Sequence, residues 1–193
     1  MSMAPVYPVT LDVDPAAAQN RLSVLLRILY VIPHAIILAV LGVVAAVITL
    51  VAWIVILITG SYPAGLASFV SNFLHWSARV GAYGSLLTDK YPPFALGADG
   101  AYPVRAGIEP QLTGRNRLTV FFRVIMIIPH AIILYFIQIA AQVVVFISWF
   151  IALFTGSVPP GLHTFVAGYQ RWNLRYTAYA LLLTDQYPPF SLS

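Results

Sequence analysis

The stretch AIILAVLGVVAAVITLVAWIVILI, residues 35–58, has no charged side chain, and Thr49 is its only hydroxyl. As an α-helix its 24 residues would extend about 36 Å, enough to cross a hydrocarbon core of about 30 Å. Of the chain's 193 residues, 60% are hydrophobic and 8% are charged, whereas about a quarter of a soluble domain is charged. We therefore predict an integral membrane protein with a transmembrane helix at this stretch.

The chain contains a tandem repeat. Residues 21–94 align without a gap with residues 117–190, and about 35 of the 74 aligned positions are identical. The phrase VIPHAIIL at 31–38 recurs as IIPHAIIL at 127–134. We predict two repeat domains, residues 1–95 and 96–193.

The Pro-His phrase predicts a bend in each repeat. A helix over residues 21–58 would extend about 57 Å, too long for one crossing. Because proline removes a backbone donor and kinks a helix, we expect Pro33 and Pro129 to separate an interfacial amphipathic helix from a spanning helix. We expect His34 and His130 to lie at the polar boundary and to bond the backbone groups freed by the proline.

Local signals predict a hairpin after each spanning helix. TGSYPAG and TGSVPPG place Gly60 and Gly156 at left-handed helix ends and a proline at the start of the next helix. In each hairpin, the first arm is the predicted helix before the turn and the second arm is the helix after it. The second arms would cover residues 63–88 and 159–184. The predicted fold is all-α, with four transmembrane helices in two tandem hairpins.

Two short strands are predicted, one before each repeat. YPVTLDVDP at 7–15 and YPVRAGIEP at 102–110 alternate apolar residues with others. We expect these cytoplasmic strands to pair with each other and to lean on the membrane surface or on a partner, because an isolated two-stranded ribbon is marginal.

Charge placement predicts the orientation of the repeats. The hairpin tips are uncharged, whereas basic residues cluster at the open ends, and cytoplasmic loops are enriched in Lys and Arg. We therefore expect parallel repeats in the cell's inner membrane with both termini cytoplasmic. The net charge of +4, without a basic run, favours anionic lipid headgroups over nucleic acid as the partner.

Arg79 and Arg175 lie near the middle of the predicted second arms, where an unpaired charge costs about 2.5–3.5 kcal/mol. Two interpretations remain open. The arginines could be structural, satisfied by carbonyls, a headgroup or the other repeat's aspartate. Alternatively, together with Arg27 and Arg123, they could line a pocket for a lipid phosphate.

The repeats differ at two positions of the first arm. Gly42 and Ala46 correspond to Gln138 and Gln142. In lipid, small residues permit two helices to approach closely, and amide side chains hydrogen-bond across the interface between helices. We therefore predict that the two first arms pack face to face there.

The endings LLTDKYPPF and LLTDQYPPF also recur. Aromatic residues favour the headgroup belt, and rigid Pro-Pro segments bind partner proteins. Tyr91, Phe94, Tyr187 and Phe190 are therefore candidates for both roles.

No catalytic or metal site is expected. The chain has no cysteine and four histidines, too few ligands at short spacing for a metal. None of its six acidic residues lies in a predicted span, so we predict neither an enzyme nor a cofactor.

The repeated IPHAIIL, TGSxPxG and TDxYPPF phrases resemble the bacterial DUF4389 family of membrane proteins, as two copies. The resemblance implies membrane residence and no established activity. His75 replaces the arginine found at position 171 of the second copy.

We expect a small scaffold or accessory subunit that binds lipids or other membrane proteins, or itself as a homo-oligomer. The alternative is a small transporter or channel in which Asn72, His75 and Arg79 line a path.

Overall fold

The computed structural model describes residues 7–193, which form six helices and two strands. In chain order these are β1 Val9–Val13, α1 Arg21–Thr59, α2 Ala64–Gly84, β2 Val104–Ile108, α3 Arg117–Phe121, α4 Arg123–Met126, α5 Ile128–Thr155 and α6 Pro160–Ala180. The fold is mostly helical, as predicted, with one small sheet.

The first helix is continuous through its proline. Asn20 caps α1 by accepting from the amides of residues 22 and 23, and the helix runs through Pro33 to Thr59. The prediction of two separate helices here is wrong. Arg27 and His34, on either side of the proline, are both buried and bonded to α2, so packing maintains the helix where one hydrogen bond is missing.

In the second repeat the corresponding helix is interrupted, but not at the proline. The breaks fall at Phe122 and Ile127, and Pro129 lies in the first turn of α5. A proline costs little there, since the first-turn amides have no helical partner.

Both hairpin turns form as predicted. Gly60 and Gly156 adopt left-handed conformations with φ of 74° and 78°, where a side chain would be strained. The second arms are shorter than predicted, since α2 ends at Gly84 and α6 at Ala180.

The two repeats run antiparallel, contrary to the prediction of parallel repeats. The Trp53 indole donates to the Val120 carbonyl at 3.0 Å, and the Trp149 indole donates to the Val24 carbonyl at 2.9 Å. The Gly156 carbonyl likewise accepts from the Gln19 amide at 2.8 Å. Each hairpin tip therefore lies beside the start of the other repeat's first arm.

This arrangement has an electrostatic reason. A Cβ placed on Gly60 would lie 3.5 Å from the Arg117 Nε, and one placed on Gly156 would lie 3.8 Å from the Arg21 Nε. Cations are favoured at helix C-termini, where carbonyls are unpaired. The uncharged tips and the arginines are thus neighbours from opposite repeats.

The strands pair as predicted, antiparallel, with Val9 opposite Ile108 and Val13 opposite Val104. Their inner residues are buried against helices, β1 on α6 and β2 on α2. The inner face of the sheet therefore leans on the chain's own helices, and contact of the outer face with the membrane surface or a partner stays a prediction. Each strand therefore packs on the second-arm helix of the other repeat, so the two predicted domains exchange their strands.

Two stretches within residues 7–193 are long and apolar enough to cross a membrane, α1 and Arg123–Thr155. Only 11% and 17% of their most apolar 18-residue windows are buried, unlike the core helices of soluble proteins. The second arms do not qualify, so four transmembrane helices are not supported. The molecule has three layers: the sheet, the α2/α6 pair, and the pair of first arms.

Candidate functional site

One side of the molecule is an apolar face, which we define as the exposed side chains of α1 and residues 117–155. All but five of the exposed large hydrophobic residues in the described chain belong to it, and none lies on α2 or α6. The face runs from Leu22 to Ile58 along α1 and from Leu118 to Phe154 along α3, α4 and α5, the first arm of the second repeat. So large an apolar surface marks a membrane or protein contact.

The opposite side is polar. The sheet turns Val9, Leu11 and Val104 toward α2 and α6, so the alternate residues point away from the helices. Asp12 is exposed there, and Arg105 forms an exposed ion pair with Asp14 at 2.8 Å. The whole molecule is therefore amphipathic.

Arg27 is the centre of a buried polar cluster at the start of α1. Its Nη1 donates to the carbonyls of Tyr83 and Thr88, and its Nη2 donates to the Gln19 side chain and to Asp89, at 2.8–3.0 Å. Asp89 also accepts from the Asn20 amide at 3.0 Å. The aspartate thus joins the end of the second arm to the cap of the first.

Arg123 repeats this arrangement in the second repeat. Its Nη1 donates to the carbonyls of Tyr179 and Thr184, and its Nη2 pairs with Asp185 at 2.6 Å. Arg115 adds a two-point contact with Asp185 at 2.7 and 3.0 Å.

Asp185 is held in its charged form. Burial alone would raise the pKa of its carboxyl. Hydrogen bonds from Arg115 and the Asn116 amide, with the charges of Arg115 and Arg123, instead hold that pKa below the usual range of an aspartate.

Asn72, His75 and Arg79, the candidate path-lining residues, form a polar stripe on α2 that is covered by the chain following this helix. Arg79 donates to the Gly97 carbonyl at 2.6 Å and to the Ala95 carbonyl. Gly97 also donates to the Asn72 carbonyl at 3.4 Å. A cavity of only about 90 Å³ remains beside His75 and Arg79, so the stripe borders a closed loop.

The four candidate arginines are not gathered in one pocket. Arg27 and Arg123 lie at opposite ends of the antiparallel arms, and their terminal nitrogens donate to protein acceptors, as do those of Arg79. This favours the structural interpretation for these three. Each of the four arginines has an Nε that is buried without a partner among residues 7–193, and headgroup binding at Arg175 stays a prediction.

The Pro-His phrases form aromatic clusters. His34 accepts a hydrogen bond at Nδ1 from the Trp76 indole at 3.2 Å, and its ring stacks on Phe94 with centroids 3.9 Å apart. His130 does the same with Trp172 and Phe190. Both histidines are fully buried, so their predicted place at a polar boundary, bonding freed backbone, is wrong.

The Tyr-Pro-Pro-Phe endings fold back on their own repeats. The Tyr91 hydroxyl donates to the Tyr30 carbonyl and that of Tyr187 to the Met126 carbonyl, each at 3.2 Å. All four aromatic rings remain partly exposed at the edge of the apolar face. Partner docking through Tyr91, Phe94, Tyr187 and Phe190 stays a prediction, limited to their outer faces.

The predicted face-to-face contact of the first arms is absent. A Cβ on Gly42 would meet only Phe73 of its own hairpin. Ala46 lines a groove with Arg123, whereas Gln138 and Gln142 line another with Arg27. The antiparallel arrangement separates the two pairs.

Sequence reasoning missed several residues that build these clusters, namely Gln19, Trp76, Trp172 and Gln170. The tryptophans carried a usable signal, since each lies 42 residues after a Pro-His histidine in both repeats. Gln19 had none, because Arg115 occupies its aligned position.

Comparison with known proteins gives one match. The family model described as "Domain of unknown function (DUF4389)" matches residues 21–95 and again residues 117–191. No curated protein and no solved structure matches the chain. The two matches cover both hairpins and leave the strands outside. The chain therefore belongs to the DUF4389 family, as a tandem pair of its domains.

Proposed function

We propose that the protein is a non-enzymatic membrane scaffold that lies in the plane of one leaflet and binds lipids through its apolar face. The observation that carries the proposal is the division between this face and the charged sheet on the other side. Amphipathic helices that lie in the interface bury their apolar side among the acyl chains and keep the polar side in water.

The length of the apolar face supports this orientation. With 39 residues, α1 extends about 58 Å, nearly twice the hydrocarbon thickness of about 30 Å. Exposed apolar residues continue from Leu22 to Ile58. A single upright crossing would leave many of them in water, whereas an in-plane helix covers all of them with lipid.

The position of the sheet argues against upright second arms. The strands pack on α2 and α6 themselves, and Arg171, within α6, donates to the Leu11 carbonyl at 2.9 Å. Upright arms would carry Asp12 and the unpaired strand edges into the hydrocarbon. Both charges and unpaired backbone groups are costly there.

We place the protein on the cytoplasmic leaflet of the inner membrane, with both termini in the cytoplasm. Arg21 and Arg117 are exposed at the two ends of the apolar face, where anionic headgroups are favoured partners. The polar sheet is then available to a partner protein or to a second copy. The transporter alternative loses its main support, since residues 95–100 cover its polar stripe.

Spin labels along α1 test the orientation. Leu22, Val40 and Ile58 are exposed. Consecutive sites are separated by about five helical turns, so they share one face of α1 and lie about 27 Å apart along its axis. Their cysteine variants, reconstituted in vesicles, should show equal depth by oxygen and nickel-chelate accessibility. A label at Asp12 is the aqueous control. A depth maximum at Val40, with both ends at interfaces, would contradict the proposal.

A further inference from the structure

A cavity of about 550 Å³ lies between the first turns of α1, the end of α2, and the middles of α5 and α6. We call it the glutamine groove. Its apolar wall consists of Ile28, Leu86, Ala141, Val145, Phe146 and Trp149. Ile28 and Phe146 are also exposed on the apolar face, so the groove opens toward lipid. Its volume is typical of small-molecule sites, about 300–1,000 Å³.

The polar part of the wall includes three glutamines, Gln138, Gln142 and Gln170. Gln138 and Gln142 are exposed, and neither side chain makes a hydrogen bond to any residue from 7 to 193. Gln170 has only a long contact, 3.5 Å from its Nε2 to the Ser85 Oγ. An unpaired amide in an apolar environment costs free energy, so these groups need a partner other than residues 7–193.

The duplication provides an internal comparison. The equivalent groove in the other half, of about 380 Å³, is lined by Ala46, Thr49, Leu50 and Trp53. The residues aligned with the three glutamines are Gly42, Ala46 and Leu74. Because the same scaffold forms without amides there, the glutamines are not needed for packing.

The glutamine groove has no free charge. Arg27 is its only charged lining residue, and both of its terminal nitrogens already donate to protein oxygens, including Asp89 at 2.8 Å. The Arg27 Nε has no partner among residues 7–193 but is buried, and the charge of Arg27 is already balanced by Asp89. The exposed donors on the wall are the neutral amides of Gln138 and Gln142, which suit carbonyl and hydroxyl oxygens.

We propose that the glutamine groove binds one uncharged lipid, with its carbonyl or hydroxyl oxygens on Gln138 and Gln142 and its chain along Phe146 and Trp149. Diacylglycerols and long-chain quinones share this chemistry. The inference rests on the proposed function, since the ligand enters from the leaflet that covers the apolar face.

The two grooves allow a matched fluorescence test, because Trp149 and Trp53 occupy equivalent positions in them. Protein is reconstituted in phosphatidylcholine vesicles containing brominated diacylglycerol, a long-chain benzoquinone or brominated phosphatidylcholine. Saturable quenching by a neutral probe should disappear in Trp149→Phe and persist in Trp53→Phe. The neutral probe that quenches identifies the source of the oxygens.

Gln138→Leu with Gln142→Leu should weaken this quenching about tenfold, the equivalent of one lost hydrogen bond of about 1.4 kcal/mol. Leucine favours both helix and lipid, so membrane insertion is preserved. Thr49→Val in the opposite groove is the control and should leave the quenching unchanged.

Equal quenching in the two tryptophan variants would overturn the proposal, as would full quenching in the double leucine variant. Disulfide-linked dimers formed efficiently by Gln138→Cys would also overturn it, in favour of a second copy. Brominated phosphatidylcholine reports insertion of the apolar face separately. Quenching by that probe alone would reject the groove ligand and leave the proposed function standing.

Discussion

Asp89 and Asp185 each close one repeat with a single carboxylate. Each accepts from the backbone amide of the helix-capping asparagine and from a buried arginine of the same first arm. Charge-assisted hydrogen bonds of this kind are stronger than neutral ones. The Thr-Asp pair that recurs before Tyr-Pro-Pro-Phe therefore has a structural role.

Replacing Asp185 with asparagine should lower the free energy of unfolding at pH 7 by about 2 kcal/mol, because Arg115 and Arg123 lose their charged acceptor. The pKa of Asp185 is lowered in the folded protein, so its contribution is complete above the unfolded value and is lost as the pH falls from about 3.8 through the native value.

Thermal unfolding in lipid nanodiscs between pH 7 and pH 2 would measure this contribution. The wild-type midpoint should fall more steeply with acid than that of Asp185→Asn, so the two should converge at low pH. A constant difference over the whole range would show that the ionised carboxylate is not responsible.

The residue contacts were only partly predictable. Repetition identified the Pro-His and Tyr-Pro-Pro-Phe phrases as important. Phe94 stacks on His34, 60 residues earlier in the chain. This contact depends on where α2 ends, and Leu86, with a positive φ of 65°, turns the chain away just after that end. Leucine carries no signal for a left-handed conformation, so the end of the helix and the stacking were both missed.

At the scale of elements, the same proline occupies two different environments. Pro33 lies inside the continuous helix α1, whereas Pro129 lies in the first turn of α5. An interior proline lacks a helical hydrogen bond and crowds a carbonyl. A first-turn proline causes no such loss.

Pro33→Ala should therefore raise the unfolding midpoint of the reconstituted protein, by an amount equivalent to about 1–3 kcal/mol. Pro129→Ala, its matched control, should change stability by less than about 1 kcal/mol. Circular dichroism melts would compare them. A larger gain from Pro129→Ala would mean that the proline environments are assigned the wrong way round.

The elements themselves were largely predictable, because their signals are local. Glycine at the hairpin ends and alternating apolar residues in the strands identified both hairpins and the strand pairing. The relative direction of the repeats was not. Uncharged tips are compatible with parallel repeats, in which the tips lie far from all arginines. They are equally compatible with antiparallel repeats, in which each tip lies beside the arginines of the other repeat. Only the packing of the repeats distinguishes these two arrangements.

At the scale of the whole molecule, the antiparallel arms and exchanged strands produce a three-layer slab with one apolar and one charged side. Hydropathy favoured the membrane as the medium. It did not reveal the orientation, because apolar helices satisfy the same composition test whether they cross the bilayer or lie in it. Our proposal of an in-plane orientation rests on the sheet that packs on α2 and α6.

Sidedness of labelling tests the in-plane account most directly. Gly65 and Gly161 at the hairpin tips and Gly100 in the linker have nothing within 4 Å of an added Cβ, and the chain has no native cysteine. Single cysteines at these three sites would be treated with an impermeant maleimide in sealed vesicles of known orientation. We predict that all three react from the same side of the membrane. Reaction of Gly65→Cys from one side and of Gly161→Cys from the other, as upright antiparallel arms would give, would contradict the account.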